Sequence, residues 1–148
     1  MDKIISKSDK ETKEVAKKIA KEVLSKKLEK RAVVLALKGN LGAGKTTFAQ
    51  GFAKGLGIRA KILSPTFNIM KRFKIQDSRF KNFYHIDCYR LKGKKDLEVL
   101  GFKEVVLNSK NVIIVEWPDK IKSLLPKNTI YINFKHLEGD ERRLLIKK

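Results

Sequence analysis

The stretch Gly39-Asn40-Leu41-Gly42-Ala43-Gly44-Lys45-Thr46 decides the fold of this chain. It matches the phosphate-binding loop pattern G-x-x-x-x-G-K-[ST] at every fixed position. The residues before it, 32–37, form an unbroken apolar run, which is typical of a strand buried on both faces in a parallel sheet. The residues after it, 46–56, repeat apolar side chains at helical spacing. Strand, glycine loop and helix therefore follow one another in the order that a phosphate loop requires.

The residue types of the loop fit phosphate chemistry. Glycines at 39, 42 and 44 let the backbone turn tightly and direct its N–H groups inward, and the following helix adds the positive end of its dipole. Lys45 supplies a point charge for the terminal phosphates, and the Thr46 hydroxyl is placed to hold Mg²⁺. The loop therefore predicts a nucleotide site that uses magnesium.

The composition predicts one domain over residues 1–148 and a cytosolic, reducing compartment. The chain is 42% apolar, yet no apolar run approaches the roughly 18 residues of a membrane span. A single cysteine, Cys88, excludes an internal disulfide and a metal site made of cysteines alone. The formal net charge is +19, from 28 lysines and 7 arginines against 16 acidic residues. That charge fits either lysine-rich solvated faces or an electrostatic role near RNA.

Hydrophobic periodicity and turn residues predict the remaining elements. They indicate a capped helix over about residues 9–29, strands at 67–73 and 82–87 that form a hairpin, short helical segments from 96 to 107, a buried strand at 111–116, a brief helix from 119 to 125, and a closing hairpin of 129–134 with 143–146. Thr12, in the first turn of the first helix, is expected at the surface. We therefore predict an α/β fold, a P-loop NTPase-type three-layer sandwich whose mixed, mostly parallel sheet has antiparallel flanking strands.

A phosphate loop needs a carboxylate to hold or organise Mg²⁺, and the end of a neighbouring apolar strand is the expected place. Glu116 follows four apolar residues and fits that position best, while Asp87, at the end of another strand, is the second candidate. His85 is expected to pack or form a hydrogen bond rather than act in catalysis. The chain has no Asn-Lys-x-Asp segment, the usual guanine reader, and this favours ATP.

Four segments in order carry a resemblance to a known family. They are Gly-Asn-Leu-Gly-Ala-Gly-Lys-Thr-Thr-Phe (39–48), Ser-Pro-Thr-Phe (64–67), Tyr-His-Ile-Asp-Cys-Tyr-Arg-Leu (84–91) and Val-Glu-Trp-Pro (115–118). With them the chain resembles the TsaE family, small bacterial ATPases of tRNA threonylcarbamoyladenosine (t⁶A) synthesis. The resemblance implies that the chain binds and hydrolyses ATP while engaged with a TsaD–TsaB complex that modifies position 37 of tRNA. It implies no transferase activity for this chain and an indirect link to tRNA that leaves direct contact open, while the lack of a long apolar run predicts no membrane partner.

The resemblance also implies roles for individual residues. It implies catalytic roles for Lys45, Asp87 and Glu116, magnesium ligation by Thr46 and Glu116, and nucleotide contacts from Leu41, Gly42, Ala43, Gly44, Lys45, Thr46, Thr47, Thr12 and Arg142. Two other classes of function remain open on the residues alone. One is a small-molecule or nucleotide kinase on the same fold, although Arg72, Arg79 and Arg90 are scattered and no arginine-rich lid is evident. The other is a non-catalytic RNA-binding module driven by charge.

Overall fold

The computed structural model describes residues 2–40, 42–63 and 69–148. Within these ranges lie seven strands, four α-helices and one 3₁₀ helix. The strands are β1 (Asp2–Ser6), β2 (Val33–Lys38), β3 (Met70–Lys74), β4 (Asn82–Asp87), β5 (Asn111–Glu116), β6 (Ile130–His136) and β7 (Arg142–Lys147). The helices are α1 (Asp9–Ser25), α2 (Lys45–Gly55), α3 (Lys94–Glu98), α4 (Phe102–Leu107) and the 3₁₀ helix Pro118–Leu124.

All seven strands form one sheet in the order β1-β7-β6-β2-β5-β4-β3. The central strand β2 is parallel to β5 and β6, and β5 is parallel to β4. Both flanks are antiparallel, because β3 pairs with β4 on one side while β6, β7 and β1 pair in succession on the other. The predicted mixed sheet with a parallel centre and antiparallel flanks is confirmed.

Helices cover both faces of the sheet, as the three-layer prediction requires. Side chains alternate along β2, so Leu35 and Leu37 pack beneath α1 and α2, whereas Val34 packs on the other face with α3, α4 and the 3₁₀ helix. Each side therefore has its own apolar core, and the parallel strands are buried between them. This burial accounts for the continuous apolar runs in the sequence.

Helices α1 and α2 approach each other closely through glycines of α2. A Cβ on Gly51 would lie 2.5 Å from the Cα of Lys13, and one on Gly55 would lie 2.7 Å from the Cβ of Ala20. These distances leave no room for a side chain, so both glycines are packing residues. The arrangement fixes α1 directly against the helix that starts at the phosphate loop.

Several helix and strand boundaries differ from the prediction. Helix α1 has the predicted N-cap, with the Ser8 Oγ accepting from the Glu11 N–H at 3.1 Å, but it ends at Ser25 rather than near residue 29. The predicted helix at 119–125 is a 3₁₀ helix that starts one residue earlier. The prediction of a strand from 67 lies partly outside the described residues, and within them the strand begins at Met70.

Strand β1 was not predicted at all. Its side chains alternate poorly, and only Ile4 packs on the core, while Ile5 is 42% exposed. The strand exists because its backbone pairs with β7, more than 130 residues away in the chain. Among the described helices, none combines the length and apolar character that crossing a membrane demands.

Candidate functional site

The loop between β2 and α2 has the backbone that a phosphate cradle needs. Gly42 and Gly44 have φ values of 77° and 102°, a region that side chains rarely allow. Gly39 is packed so closely that a Cβ there would lie 2.7 Å from the carbonyl oxygen of Phe134. Gly44 is the N-cap of α2 and makes no side-chain cap hydrogen bond, so the first N–H groups of α2 lack an internal partner. Such a helix start is a ready anion site.

The predicted nucleotide-binding residues of the loop occupy this turn and the start of α2. Ala43 is buried and its N–H donates to the Asn40 carbonyl at 3.1 Å, which closes the turn. Thr46 and Thr47 are half-buried in the first turn of α2. The predicted contact from Leu41 and the Ser-Pro-Thr-Phe segment at 64–67 lie outside the described residues.

Lys45 is the most unusual side chain of the site, because it is a buried cation only 4% exposed. Its ammonium donates to the carbonyl oxygen of Gly39 and lies 3.4 Å from the centre of the Trp117 ring. Burial lowers the pKa of Lys45, and the carboxylates of Glu116, Asp87 and Asp119 oppose that change. The charge of Lys45 is therefore desolvated, with acidic groups around it.

Trp117 forms one wall of the site, against the Lys45 ammonium. Its backbone is left-handed, with φ 56°, which is uncommon for a bulky residue and is kept in place by its surroundings. Its backbone N–H donates to the Leu37 carbonyl at 3.3 Å, and its indole ring contacts the ring of Tyr89, with 4.9 Å between the ring centres. The sequence signal was the pair Trp117-Pro118 directly after a buried strand, which indicated a strand end but not the strained conformation.

The two candidate carboxylates lie side by side. Asp87 and Glu116 are register partners at the carboxyl ends of β4 and β5, and Glu116 is also the partner of Leu37 at the end of β2. Both therefore reach the end of the sheet where the loop begins. The geometry brings together the loop, Lys45 and both carboxylates, so Asp87 and Glu116 both remain candidates.

The surroundings of these two carboxylates differ. Glu116 is 2% exposed, and its Oε2 lies 2.6 Å from Nε2 of the equally buried His85. The expectation that His85 forms a hydrogen bond is thus confirmed. Asp87 is half-buried and accepts the Tyr89 N–H at 2.9 Å. Burial raises the pKa of Asp87, and Glu116 raises it further, while the Tyr89 N–H opposes the shift.

The residues present fit a Mg²⁺ ion that is held mainly by nucleotide and water. No cluster of three or more His, Cys, Asp or Glu side chains that could cage a metal occurs in the described ranges. Thr46 and Glu116, with Asp87 beside Glu116 in the sheet, instead offer the few oxygen atoms that would suit Mg²⁺ alongside phosphates and waters. The open turn at Gly42, where a Cβ would meet nothing within 4 Å, leaves room for those phosphates.

Arg142 lies against the loop, although it comes from the far end of the chain. A Cβ on Gly44 would lie 2.8 Å from the Arg142 Cδ, and the guanidinium donates to the carboxylate of Asp9 in α1. The Nε of Arg142 is buried without a hydrogen-bond partner. A buried donor without a partner is costly and is expected to bind an acceptor that arrives with the ligand.

The predicted surface position of Thr12 is wrong. Thr12 is fully buried, with its Oγ1 2.7 Å from the Ser6 Oγ and donating to the Ser8 carbonyl at 3.2 Å. Strand β1 covers this turn of α1, and β1 was not visible in the sequence. The same turn follows Asp9, the partner of Arg142, so Thr12 supports the part of α1 that meets the loop.

Comparisons with known proteins agree on one family. The sequence profile described as "Threonylcarbamoyl adenosine biosynthesis protein TsaE" matches residues 6–144. A "tRNA threonylcarbamoyladenosine biosynthesis protein TsaE" of Rickettsia typhi is 40% identical over 142 residues, covering 95% of this chain and 91% of that protein. The protein of the same description from Bacillus subtilis is 40% identical over 134 residues, covering 90% and 77%. The crystal structure of Bacillus subtilis YdiB superposes with a TM-score of 0.72 at 35% identity, covering 96% of this chain and 81% of that one.

Proposed function

The chain belongs to the TsaE family of threonylcarbamoyl adenosine biosynthesis proteins, and from this premise we propose that it is an ATPase subunit. It binds ATP with Mg²⁺ at the phosphate loop and hydrolyses it in support of a TsaD–TsaB complex that forms t⁶A at position 37 of tRNA. The chain itself is not the carbamoyl transferase. Its work is done in the cytoplasm.

The observation that carries this proposal is the burial of the Lys45 ammonium. It lies between the Gly39 carbonyl and the Trp117 ring, at the start of a helix with uncapped N–H groups. A buried cation is costly unless an anion compensates it. Triphosphate supplies that anion, the start of α2 offers it free N–H groups, and Arg142, whose Nε has no hydrogen-bond partner, lies beside Gly44.

The proposal assigns Mg²⁺ to the strand ends beside the phosphate loop. The hydroxyl of Thr46 and the carboxylate of Glu116 are the residues that would hold it, with Asp87 as the alternative acidic ligand. When bound, the ion neutralises the charge that develops on the phosphates during transfer to water. The hydrogen bond from His85 to Glu116 keeps that carboxylate in one orientation.

The kinase alternative receives less support from the described residues. Arg72 and Arg79 belong to the β3–β4 hairpin, on and beyond β3 at the edge of the sheet, and not to a lid above the loop. Arg79 donates to the Ser25 carbonyl at the end of α1, which is remote from the start of α2. No acceptor-binding segment rich in arginine surrounds the loop in the described ranges.

Phosphate release under three conditions tests the proposal. The chain is assayed with ATP and Mg²⁺ alone, with TsaD and TsaB, and with a panel of nucleoside and small-molecule phosphoryl acceptors. We expect phosphate release that needs Mg²⁺ and rises with TsaD–TsaB. Stoichiometric transfer of phosphate to an acceptor, or no nucleotide binding at all, would overturn the ATPase assignment.

A further inference from the structure

The strand ends that lie opposite the phosphate loop form one edge of the sheet, and every strand has at least one lysine or arginine at or near this edge. The parallel strands begin at this edge, and the segments that precede them are basic. Lys26, Lys27, Lys30 and Arg31 precede β2. Arg79 and Lys81 precede β4, Lys110 precedes β5, and Lys127 precedes β6.

The antiparallel strands add to the same edge. Strand β3 runs against β4 and ends there with Lys74, and β7 runs against β6 and reaches it with Lys147 and Lys148. Strand β1 begins there with Lys3. We call these twelve residues the basic edge. All twelve side chains belong to exposed residues, and Asp2, Glu29 and Asp77 are the acidic residues of the same strand ends and connections.

Hydrogen bonds fix the segments of the basic edge relative to one another. The Arg79 guanidinium donates to the Ser25 carbonyl at 3.2 Å, which joins the β3–β4 turn to the end of α1. The Lys81 N–H donates to the Lys110 carbonyl at 2.8 Å. The Asn128 amide donates to Glu29 at 2.9 Å, which occupies one of the few acids present. The segments that carry these cations are therefore connected to one another by hydrogen bonds.

The dimensions of the basic edge suit a long polyanion. Seven strands at ~4.8 Å spacing make a row of about 29 Å, which is several backbone phosphates long. The six-residue strands β4 and β5 separate this row from Asp87 and Glu116 by about 20 Å. The basic edge is therefore a surface distinct from the nucleotide site. At the nucleotide site, acidic side chains lie around the single buried ammonium of Lys45.

Protection of the edge strands does not explain all of these cations. Lysines on an edge strand protect against unwanted strand pairing, which accounts for charge on β1 and β3. The cations before β2, β5 and β6 precede central strands. These strands are paired on both sides, so they have no unpaired backbone groups to protect. Concentration of charge at these positions indicates a ligand rather than protection.

We propose that the basic edge binds the phosphate backbone of RNA, independently of nucleotide at the phosphate loop. A lipid surface fits the same charge less well, because membrane-surface helices pair cations with a stripe of large apolar side chains. The connection from α1 to β2 carries one such residue, Leu28, at 36% exposure. The inference goes beyond the ATPase proposal and does not depend on it.

A matched pair of charge variants tests the inference. The edge variant carries Lys26→Gln, Lys27→Gln, Lys110→Gln and Lys127→Gln. The control variant carries Lys92→Gln, Lys94→Gln, Lys95→Gln and Lys103→Gln, which are equally exposed and lie around α3 and α4. Both variants lose four charges. Binding of a labelled tRNA transcript is measured by fluorescence anisotropy without nucleotide, from 50 to 300 mM KCl, beside flotation with anionic vesicles.

We expect the edge variant to lose about tenfold or more in RNA affinity, with a shallower dependence on salt, because fewer counterions are released. The control variant should change less than about threefold. Equal losses in both variants, no RNA binding by the wild-type chain at 150 mM KCl, or binding to vesicles but not to RNA would overturn the inference. ATP turnover of the edge variant is measured in parallel and should match wild type, so failure of one proposal is separable from failure of the other.

Discussion

Two opposing effects act on the pKa of the Lys45 ammonium. Burial disfavours its charge and lowers its pKa, whereas Glu116, Asp87 and Asp119 favour the charge. The Gly39 carbonyl and the Trp117 ring are its immediate contacts. Phosphate oxygens would replace these weak partners with full negative charge, and such charge-assisted bonds are roughly twice as strong as neutral ones. A bound nucleotide would therefore stabilise the Lys45 ammonium more than these two contacts do.

Replacing Lys45 by Ala should lower ATP affinity by at least about tenfold, which corresponds to ~1.4 kcal/mol. The physical reason is the loss of the only buried ammonium at the described part of the loop. Lys54→Ala is the matched control, because Lys54 is exposed in the last turn of the same helix. Calorimetric titration with Mg-ATP measures both. Equal affinity in the two variants would contradict the nucleotide-site assignment.

Glu116→Ala should impair magnesium-dependent hydrolysis more than nucleotide binding. Under the proposal, backbone N–H groups would provide most of the contacts to the phosphates, whereas Glu116 is the carboxylate at the strand end where a metal partner would lie. Glu104→Ala, an exposed substitution in α4, serves as control. Turnover is recorded against Mg²⁺ concentration at saturating ATP. If the Glu116→Ala and wild-type curves coincide, the metal role passes to Asp87.

The thiol of Cys88 should be inert in the folded chain. Burial raises the pKa of Cys88 from 9.0 to about 12, with Asp87 adding to the shift. Because the thiolate is the reactive form, its fraction at pH 8 falls by about a thousandfold relative to the unfolded chain. Alkylation by iodoacetamide, followed by mass spectrometry with and without denaturant, checks this. Rapid labelling without denaturant would show that the Cys88 side chain opens to solvent.

The raised pKa of Cys88 also determines how the stability of the fold changes with pH. The folded chain keeps the Cys88 proton to higher pH than the unfolded chain does, so this group stabilises the fold up to about pH 9 and loses that contribution as pH rises towards 12. Below about pH 9 this contribution is constant, so the titration of Cys88 does not change the stability of the fold near neutral pH. Cys88 is therefore a core residue of the face that carries α3 and α4.

At the scale of elements, the sequence was sufficient where the pattern is local. The buried strands β2 and β5, the loop between β2 and α2, and the cap of α1 at Ser8 each depend on residues close together in the chain. Glycine spacing and apolar runs report such features directly. This is why Lys45, Thr46 and Glu116 could be assigned to one site before the geometry was known.

The features that were missed depend on contacts between distant segments. Strand β1 forms only by pairing with β7, and this pairing buries Thr12. The same end of the chain brings Arg142 to Gly44 and Asp9, a contact that no local pattern can indicate. The left-handed backbone of Trp117 was also not predicted.

The close approach of α1 and α2 gives a prediction at this scale. Gly51→Ala should destabilise the fold by about 1–3 kcal/mol, because its Cβ would lie 2.5 Å from the Lys13 backbone and the helices must move apart. Gly93→Ala is the control, since a Cβ there meets nothing within 4 Å. Urea unfolding measures both variants. A Gly51→Ala protein as stable as wild type would show that the helices separate at no cost.

At the scale of the whole molecule, the parallel sheet separates two chemical environments. The carboxyl ends of β2, β4 and β5 hold the loop, Lys45 and two carboxylates, as expected for open α/β sheets. The opposite ends carry the basic edge. The two surfaces are about 20 Å apart along the strands, so a partner protein at the nucleotide end leaves the basic edge accessible.

This separation leads to the last prediction, which concerns turnover. The chain alone should hydrolyse ATP slowly, because the described residues supply binding and metal ligation but no dedicated group that orients the attacking water. An arginine supplied from outside contributes about 10³–10⁵ in rate to related phosphate-loop enzymes.

We expect TsaD–TsaB to accelerate phosphate release, and the edge variant should respond as wild type does, since its substitutions lie at the far end of the strands. Stopped-flow phosphate detection at 50 and 300 mM KCl also measures how much docking depends on charge. Fast turnover by the isolated chain that TsaD–TsaB does not change would contradict a partner-gated mechanism. Loss of stimulation in the edge variant alone would place the docking surface on the basic edge.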